Sequence, residues 1–316
     1  MKKATIIIVI LVVVIGVIYL ARLNQNKQDF ETGDSQFACS QYSCGQLDEP
    51  GTRLKEYHYC LIDCKKSYIK VENDDYAVIA PAGYELLAKA HLQDLENCGP
   101  LLRGLLGIAP KDEIQLITFV KGEKTAAYAS DEGSGVFYYK TEAALQSDLK
   151  RIKSGVGIGV AENRCLNAHE LTHIYTSRLK LPHWANEGLA TYAEWKFNWL
   201  EQPVVCSDNG WKHSWNDKVI FPYSDLNKSW DGNDDAAQLK WYNSAACVFD
   251  FIIKKSDASA VGGILTYFDG VASKLVPDEK IGSGMDRFST KTFLEKAIAP
   301  VLGEAIKNEI KSKFKF

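Results

Sequence analysis

In the segment Asn167-Ala168-His169-Glu170-Leu171-Thr172-His173, two histidines bracket three residues, and a glutamate directly follows the first. On an α-helix His169 and His173 lie one turn apart on the same face, about 6 Å along the axis at ~1.5 Å per residue. Two imidazoles so placed can bind one zinc ion (Zn2+). Glu170, beside the first of them, is placed to take a proton from a water on that ion. The same spacing also describes an amphipathic helix with two core histidines, so the residues downstream must decide.

A metal site of this kind needs a third protein ligand. The metzincin pattern requires a glycine and then a histidine shortly after His173, but the chain has Thr176 and Leu179 there. The chain continues instead with Leu181-Pro182-His183-Trp184-Ala185-Asn186-Glu187-Gly188-Leu189-Ala190-Thr191-Tyr192. The stretch Trp-x-Asn-Glu-Gly-Leu-Ala-x-Tyr resembles the second zinc helix of the gluzincin metallopeptidases, in particular the aminopeptidase-N type and the compact peptidase MA-like family. The resemblance implies an α+β, zincin-like fold: a small mixed sheet followed by a mainly helical half that bears the zinc helices. It also implies Glu187 as the third zinc ligand and Glu170 as the catalytic base. Thirteen residues separate His173 from Glu187, a spacing closer to the MA-like proteins. A short loop through Pro182 brings a second helix back antiparallel to the first.

The N-terminus sets the context. Lys2-Lys3 precede an uncharged run from Ala4 to Ala21, closed by Arg22. Eighteen residues at ~1.5 Å each span about 27 Å, near the thickness of a bilayer core. Residues 1–21 therefore read as a membrane anchor, a transmembrane helix, or a signal segment; the small residues a cleavage site needs fit poorly. Residues 22–70 form a polar stalk and a cysteine-rich segment, and residues 71–316 the zincin-like domain. Eight cysteines beside a membrane-targeting segment predict disulfides in an oxidising compartment, with the domain extracytoplasmic, or secreted if the segment is cleaved. Cys39, Cys44, Cys60 and Cys64 also raise a second zinc site, but their spacing is loose for a zinc ribbon. A net charge of -3 and the lack of a basic stripe argue against a nucleic-acid partner.

Patterning predicts strands at Tyr76–Ala80, Ile114–Val120, Ala126–Ala129 and Val136–Tyr139, and a helix from Tyr84 to Leu106 that Pro100 breaks in two. In MA-like peptidases an edge strand borders the cleft and pairs with an extended peptide, because exposed backbone groups match any sequence. Val136–Tyr139 is the candidate for that edge, and a capped hairpin the alternative. Gly155-Val156-Gly157-Ile158-Gly159 lacks the spacing and the lysine of a phosphate loop and reads as a lead-in to the zinc helix. The tryptophans of 195–235 read as packing or as a substrate wall, and His213 as a poor metal ligand.

Gln238–Lys254 is a further amphipathic helix, which resembles the one after the zinc site in MA-like proteins. Related gluzincins place a tyrosine or histidine where it steadies the oxyanion. Tyr242 is the candidate, and His183 the fallback. Asn186 and Glu194 are near enough in sequence to support the ligands. These residues imply zinc-dependent hydrolysis of a peptide or protein substrate. No acidic Gly-x-Met-Glu-Asn strand is present to hold a free amine, which favours an endopeptidase. The alternative is a non-catalytic zincin-fold binding module at the cell surface, whose usual mark is a lost ligand or base; His169, His173, Glu187 and Glu170 are all in place.

Overall fold

The computed structural model describes residues 68–110, 115–121, 126–129, 135–154, 164–197, 204–207, 210–213, 226, 235–281 and 285–316. The chain divides into two compact units, Met1–Leu47 and Asp48–Phe316, and every described residue belongs to the second. The anchor run, the stalk and the first four cysteines lie outside the described residues. No helix among the described residues is long and apolar enough to cross a membrane.

The first half is a five-stranded mixed sheet. Its strands are β1 (Tyr68–Glu72), β2 (Tyr76–Pro81), β3 (Gln115–Lys121), β4 (Ala126–Ala129) and β5 (Gly135–Lys140), in the order β1-β2-β3-β5-β4. β2, β3 and β5 are parallel, and β1 and β4 flank them antiparallel. All six residues of β2 are buried, as expected of a parallel strand covered on both faces. Helix α1 (Glu85–Leu106) connects β2 to β3 and packs on β2.

The strand predicted as the edge is not one. Val136 pairs with Ile117 on one side and with Ala129 on the other, so β5 is interior. The physical reason is the short link between β4 and β5. β4, just ahead of β5 in the chain, pairs with it antiparallel and takes the edge. The predicted break at Pro100 is also absent, because α1 runs unbroken to Leu106 and ends on Gly107 at φ 66°. Leu95 and Cys98 before the proline, and Leu102 and Leu105 after it, are all buried. That continuous apolar face outweighs the lost backbone bond, for which the isolated penalty is ~3 kcal/mol.

The second half is helical. After α2 (Glu142–Lys153) come α3 (Ala168–Thr176), α4 (His183–Phe197), α5 (Asp235–Lys255) and α6 (Ala260–Ala272). One small hairpin, Val204–Ser207 with Gly210–His213, lies between α4 and α5, and another, Glu279–Ile281 with Met285–Arg287, between α6 and the closing helices at Thr290–Phe314. The closing segment includes one π turn, Leu294–Ile298. Among the described residues two disulfides staple the fold, Cys98–Cys165 and Cys206–Cys247.

Helix α3 stops for a local reason. A single 3-10 turn, Ser177–Leu179, is capped by Lys180 in the left-handed region at φ 47°. Pro182 then accepts from the backbone N–H groups of Ala185 and Asn186 and starts α4. α4 in turn packs closely on α5 at Gly188. A Cβ there would come within 2.6 Å of the Ala245 carbonyl carbon and oxygen. Replacing glycine by alanine in a helix gains about 1 kcal/mol of propensity, whereas overpacking a rigid contact costs about 1–3 kcal/mol. The obstacle is backbone and cannot swing aside, so overpacking wins. Gly188→Ala is expected to lower stability by up to about 2 kcal/mol, read as a lower denaturant midpoint at unchanged slope. Wild-type stability in this variant would mean that the two helices are free to separate.

Candidate metal centre

Helices α3 and α4 supply three donors that converge on one point. His169 and His173 come from α3, with ring centroids 5.0 Å apart at 77°. Glu187 comes from the first turns of α4, and its Oε2 lies 3.6 Å from His169 Nε2 and 3.4 Å from His173 Nε2. All three ligand atoms fall within 4.8 Å of one another. Zinc arms of about 2.0–2.1 Å at tetrahedral angles set neighbouring donors about 3.4 Å apart. Donor type and separation therefore both fit Zn2+. Three protein donors leave one tetrahedral position over, the pattern of a catalytic rather than a structural site.

The surroundings are acidic. His169 Nδ1 lies 3.3 Å from Glu194 Oε2, two turns beyond Glu187 on α4. A carboxylate so placed can orient the ring, as such partners do for imidazoles that bind metal. Burial disfavours a charge on His169, but Glu187, Glu194 and Glu170 outweigh it and raise its pKa well above the usual value. Burial likewise pushes the Glu187 carboxyl up, and the two imidazoles more than reverse this, holding it well below the ordinary range. The cluster thus has strong affinity for positive charge. Asn186 plays a different part: its Oδ1 accepts from Thr176 Oγ1 at 3.2 Å, tying the end of α3 to the start of α4.

Tyr242 and His183 both reach this site, from different sides. The Tyr242 ring stacks on His169 at 6.1 Å, and Gln238 Nε2 donates to its hydroxyl at 3.2 Å. Burial first, and then the charge of Glu187, raise the Tyr242 pKa, so its hydroxyl stays protonated at neutral pH. His183 Nε2 is 3.8 Å from Glu187 Oε1, the oxygen turned away from the other rings. Its own ring packs beside Trp241 at 4.8 Å, and burial lowers its pKa. Gln238 was not legible as a site residue beforehand; its only signal is its position one turn before Tyr242. The side chain of His213 lies outside the described residues.

A second cluster, Asp94, Cys98 and Cys165, also has metal-ligand spacing. Its sulfurs are joined to each other, so no thiolate is left to ligate.

No family model matches this chain, and no curated protein does. Among solved structures the chain is similar to the M1 zinc metallopeptidase from Deinococcus radiodurans, at 14% identity and TM-score 0.40. It is also similar to a mutant of that enzyme bound to a Tyr-Ser-Ala substrate, at 14% identity and TM-score 0.38. Each match covers 78% of this chain and 51% of the other, so the chain spans about half the length of these proteins. Likeness at this level leaves function to the residues of the site itself.

The contact between Glu194 and His169 yields a direct test. Loss of an outer-shell partner typically costs 10- to 100-fold in metal affinity. Glu194→Ala should weaken zinc binding by roughly that factor, measured by competition with a chromogenic chelator, with the fold retained by circular dichroism. Unchanged affinity would show that Glu194 does not support the ring.

Proposed function

We propose that this chain is a zinc-dependent peptidase of the gluzincin kind that hydrolyses internal peptide bonds. The observation that carries the reading is the convergence of His169, His173 and Glu187, with Glu187 Oε2 at 3.6 and 3.4 Å from the two imidazoles and Glu170 adjacent to the first. His169, His173 and Glu187 would hold the ion. Bound there, zinc supplies a Lewis acid for the scissile carbonyl and lowers the pKa of water toward ~7.

The remaining steps belong to side chains of this protein. Glu170 accepts the proton of the attacking water as the new C–O bond forms, and returns it to the amine nitrogen as the C–N bond breaks. Tyr242 donates its hydroxyl hydrogen to the oxygen that gains negative charge; its raised pKa keeps that hydrogen in place. Glu194 holds the His169 ring. No covalent acyl intermediate is required.

The sheet offers a way to bind substrate. β4 pairs only with β5 among the described strands, and α3 packs against it. An extended peptide would add as the next strand, held through backbone groups and so tolerant of sequence. The disulfides at Cys98–Cys165 and Cys206–Cys247 favour an oxidising, extracytoplasmic setting, with residues 1–21 as the anchor.

Glu170→Gln is the direct test. Zinc should remain stoichiometric, while cleavage of an internally quenched, N-acetylated peptide library falls by roughly 10²- to 10⁴-fold, the usual worth of a general base. Chelator should abolish the wild-type activity and added zinc restore it. Wild-type turnover in the variant would refute the assigned base. A zinc-loaded wild type that cleaves nothing in the library would favour a binding module.

A further inference from the structure

The α3 helix starts without the cap its sequence provides. Asparagine at an N-cap ordinarily turns its side chain onto one of the four free N–H groups of the first turn. Asn167 occupies the N-cap of α3, two residues before His169, but makes no such bond. Its side chain points elsewhere. Nδ2 donates to Asp94 Oδ2 at 2.6 Å, and Oδ1 accepts from the Tyr138 hydroxyl at 2.8 Å. His91 Nδ1 lies 3.3 Å from the same Nδ2, in a ring that burial keeps neutral by lowering its pKa to about 3.

Asp94, on α1, holds the approach to the helix rather than its first-turn N–H groups. Its Oδ1 accepts from the backbone N–H of Leu166 at 3.0 Å and its Oδ2 from that of Asn167 at 3.3 Å. The carboxylate is 1% exposed and lies at the positive end of the α3 dipole. One turn later on α1, Cys98 is bonded to Cys165, the residue before Leu166. Three successive residues, Cys165, Leu166 and Asn167, are thus fixed to one stretch of α1, one covalently and two by a buried carboxylate. A buried acid is a costly way to gain stability alone, since apolar replacements often do as well. It does, however, fix the helix start in both place and direction.

We propose that Asp94 is a positioning residue that sets the start of α3 and thereby places His169 and Glu170 for zinc binding and proton transfer. Its place in catalysis rests on the peptidase reading; its place in metal binding does not. His169 and Glu170 are the second and third residues of α3 and move with its start. Glu187, on α4, and the edge strand β4 do not. Loosening the clamp therefore weakens zinc binding and lowers kcat while leaving KM unchanged.

The test uses the full chain, titrated with zinc, with Asp94→Asn and Tyr138→Phe. In Asp94→Asn one acceptor becomes a donor, set against the backbone N–H of Leu166 or the two donors of Asn167. Zinc affinity should fall roughly 10- to 100-fold, and kcat should fall at constant KM. Tyr138→Phe keeps the ring stacked on Phe119 (5.4 Å between centroids) and removes only the hydroxyl that Asn167 accepts from. It should show a smaller loss in the same direction, and it carries the test if Asp94→Asn does not fold. A folded Asp94→Asn with wild-type zinc affinity overturns the proposal, even if its melting temperature drops, because a purely structural cap would behave that way. If the wild type binds zinc but cleaves no peptide, the peptidase reading fails, and Asp94 is judged by the zinc titration alone.

Discussion

One carboxylate oxygen, Glu187 Oε2, stands between two imidazole nitrogens at 3.4 and 3.6 Å, and the helical half of the molecule is arranged around that meeting. Two conditions must hold together. α3 must present His169 and His173 on one face, which its period ensures. α4 must return so that Glu187 reaches the same point. The left-handed Lys180 and the start at Pro182 turn the chain in a few residues, and the bond from Thr176 to Asn186 locks the two helices where they join.

Position along the helix axes is set further away. α4 rests on α5 at Gly188, the residue after the third donor, where a methyl group would strike the Ala245 backbone. That close approach is also what puts Tyr242, one turn before Ala246 on α5, over His169. One small residue therefore governs two parts of the site, the separation of α4 from α5 and the reach of the tyrosine. The opposite end of the site depends on α1 through Asp94 and the Cys98–Cys165 bond. α3 is thus held by the sheet-side helix at its start and by α4 at its end.

The donor set was legible in the sequence because it is local: a spacing of four on one helix, and a short turn to the next. Between Asn186 and Glu194 the sequence does not choose; the contact with His169 Nδ1 is made by Glu194, two turns from Glu187 on one face. The clamp was not legible. Asp94 and Asn167 are 73 residues apart, and nothing in either neighbourhood announces the pairing. α2 escaped prediction because it buries only Leu145 and Leu149, too few for a clear period, although Thr141 caps it through a bond from Ala144 N–H. The edge strand was misplaced because alternation identifies a strand but not its neighbours. Only the β4–β5 pairing shows which strand lies outside. At Pro100 a local rule gave way to tertiary packing, since the buried residues on both sides belong to one face of α1.

The charges of the site explain how one arrangement can serve both binding and chemistry on the proposed reading. Glu170, Glu187 and Glu194 raise the pKa of His169 against the cost of burial, so protons and metal compete for the same place. A divalent cation would displace the proton by taking three donors at once. Its arrival neutralises much of the field of Glu187, which is one of the causes that keep Tyr242 protonated. The larger cause is burial, and burial does not change when the cation binds. The phenol therefore remains a donor in the loaded site, and its hydrogen stays available for the oxygen of a polarised carbonyl.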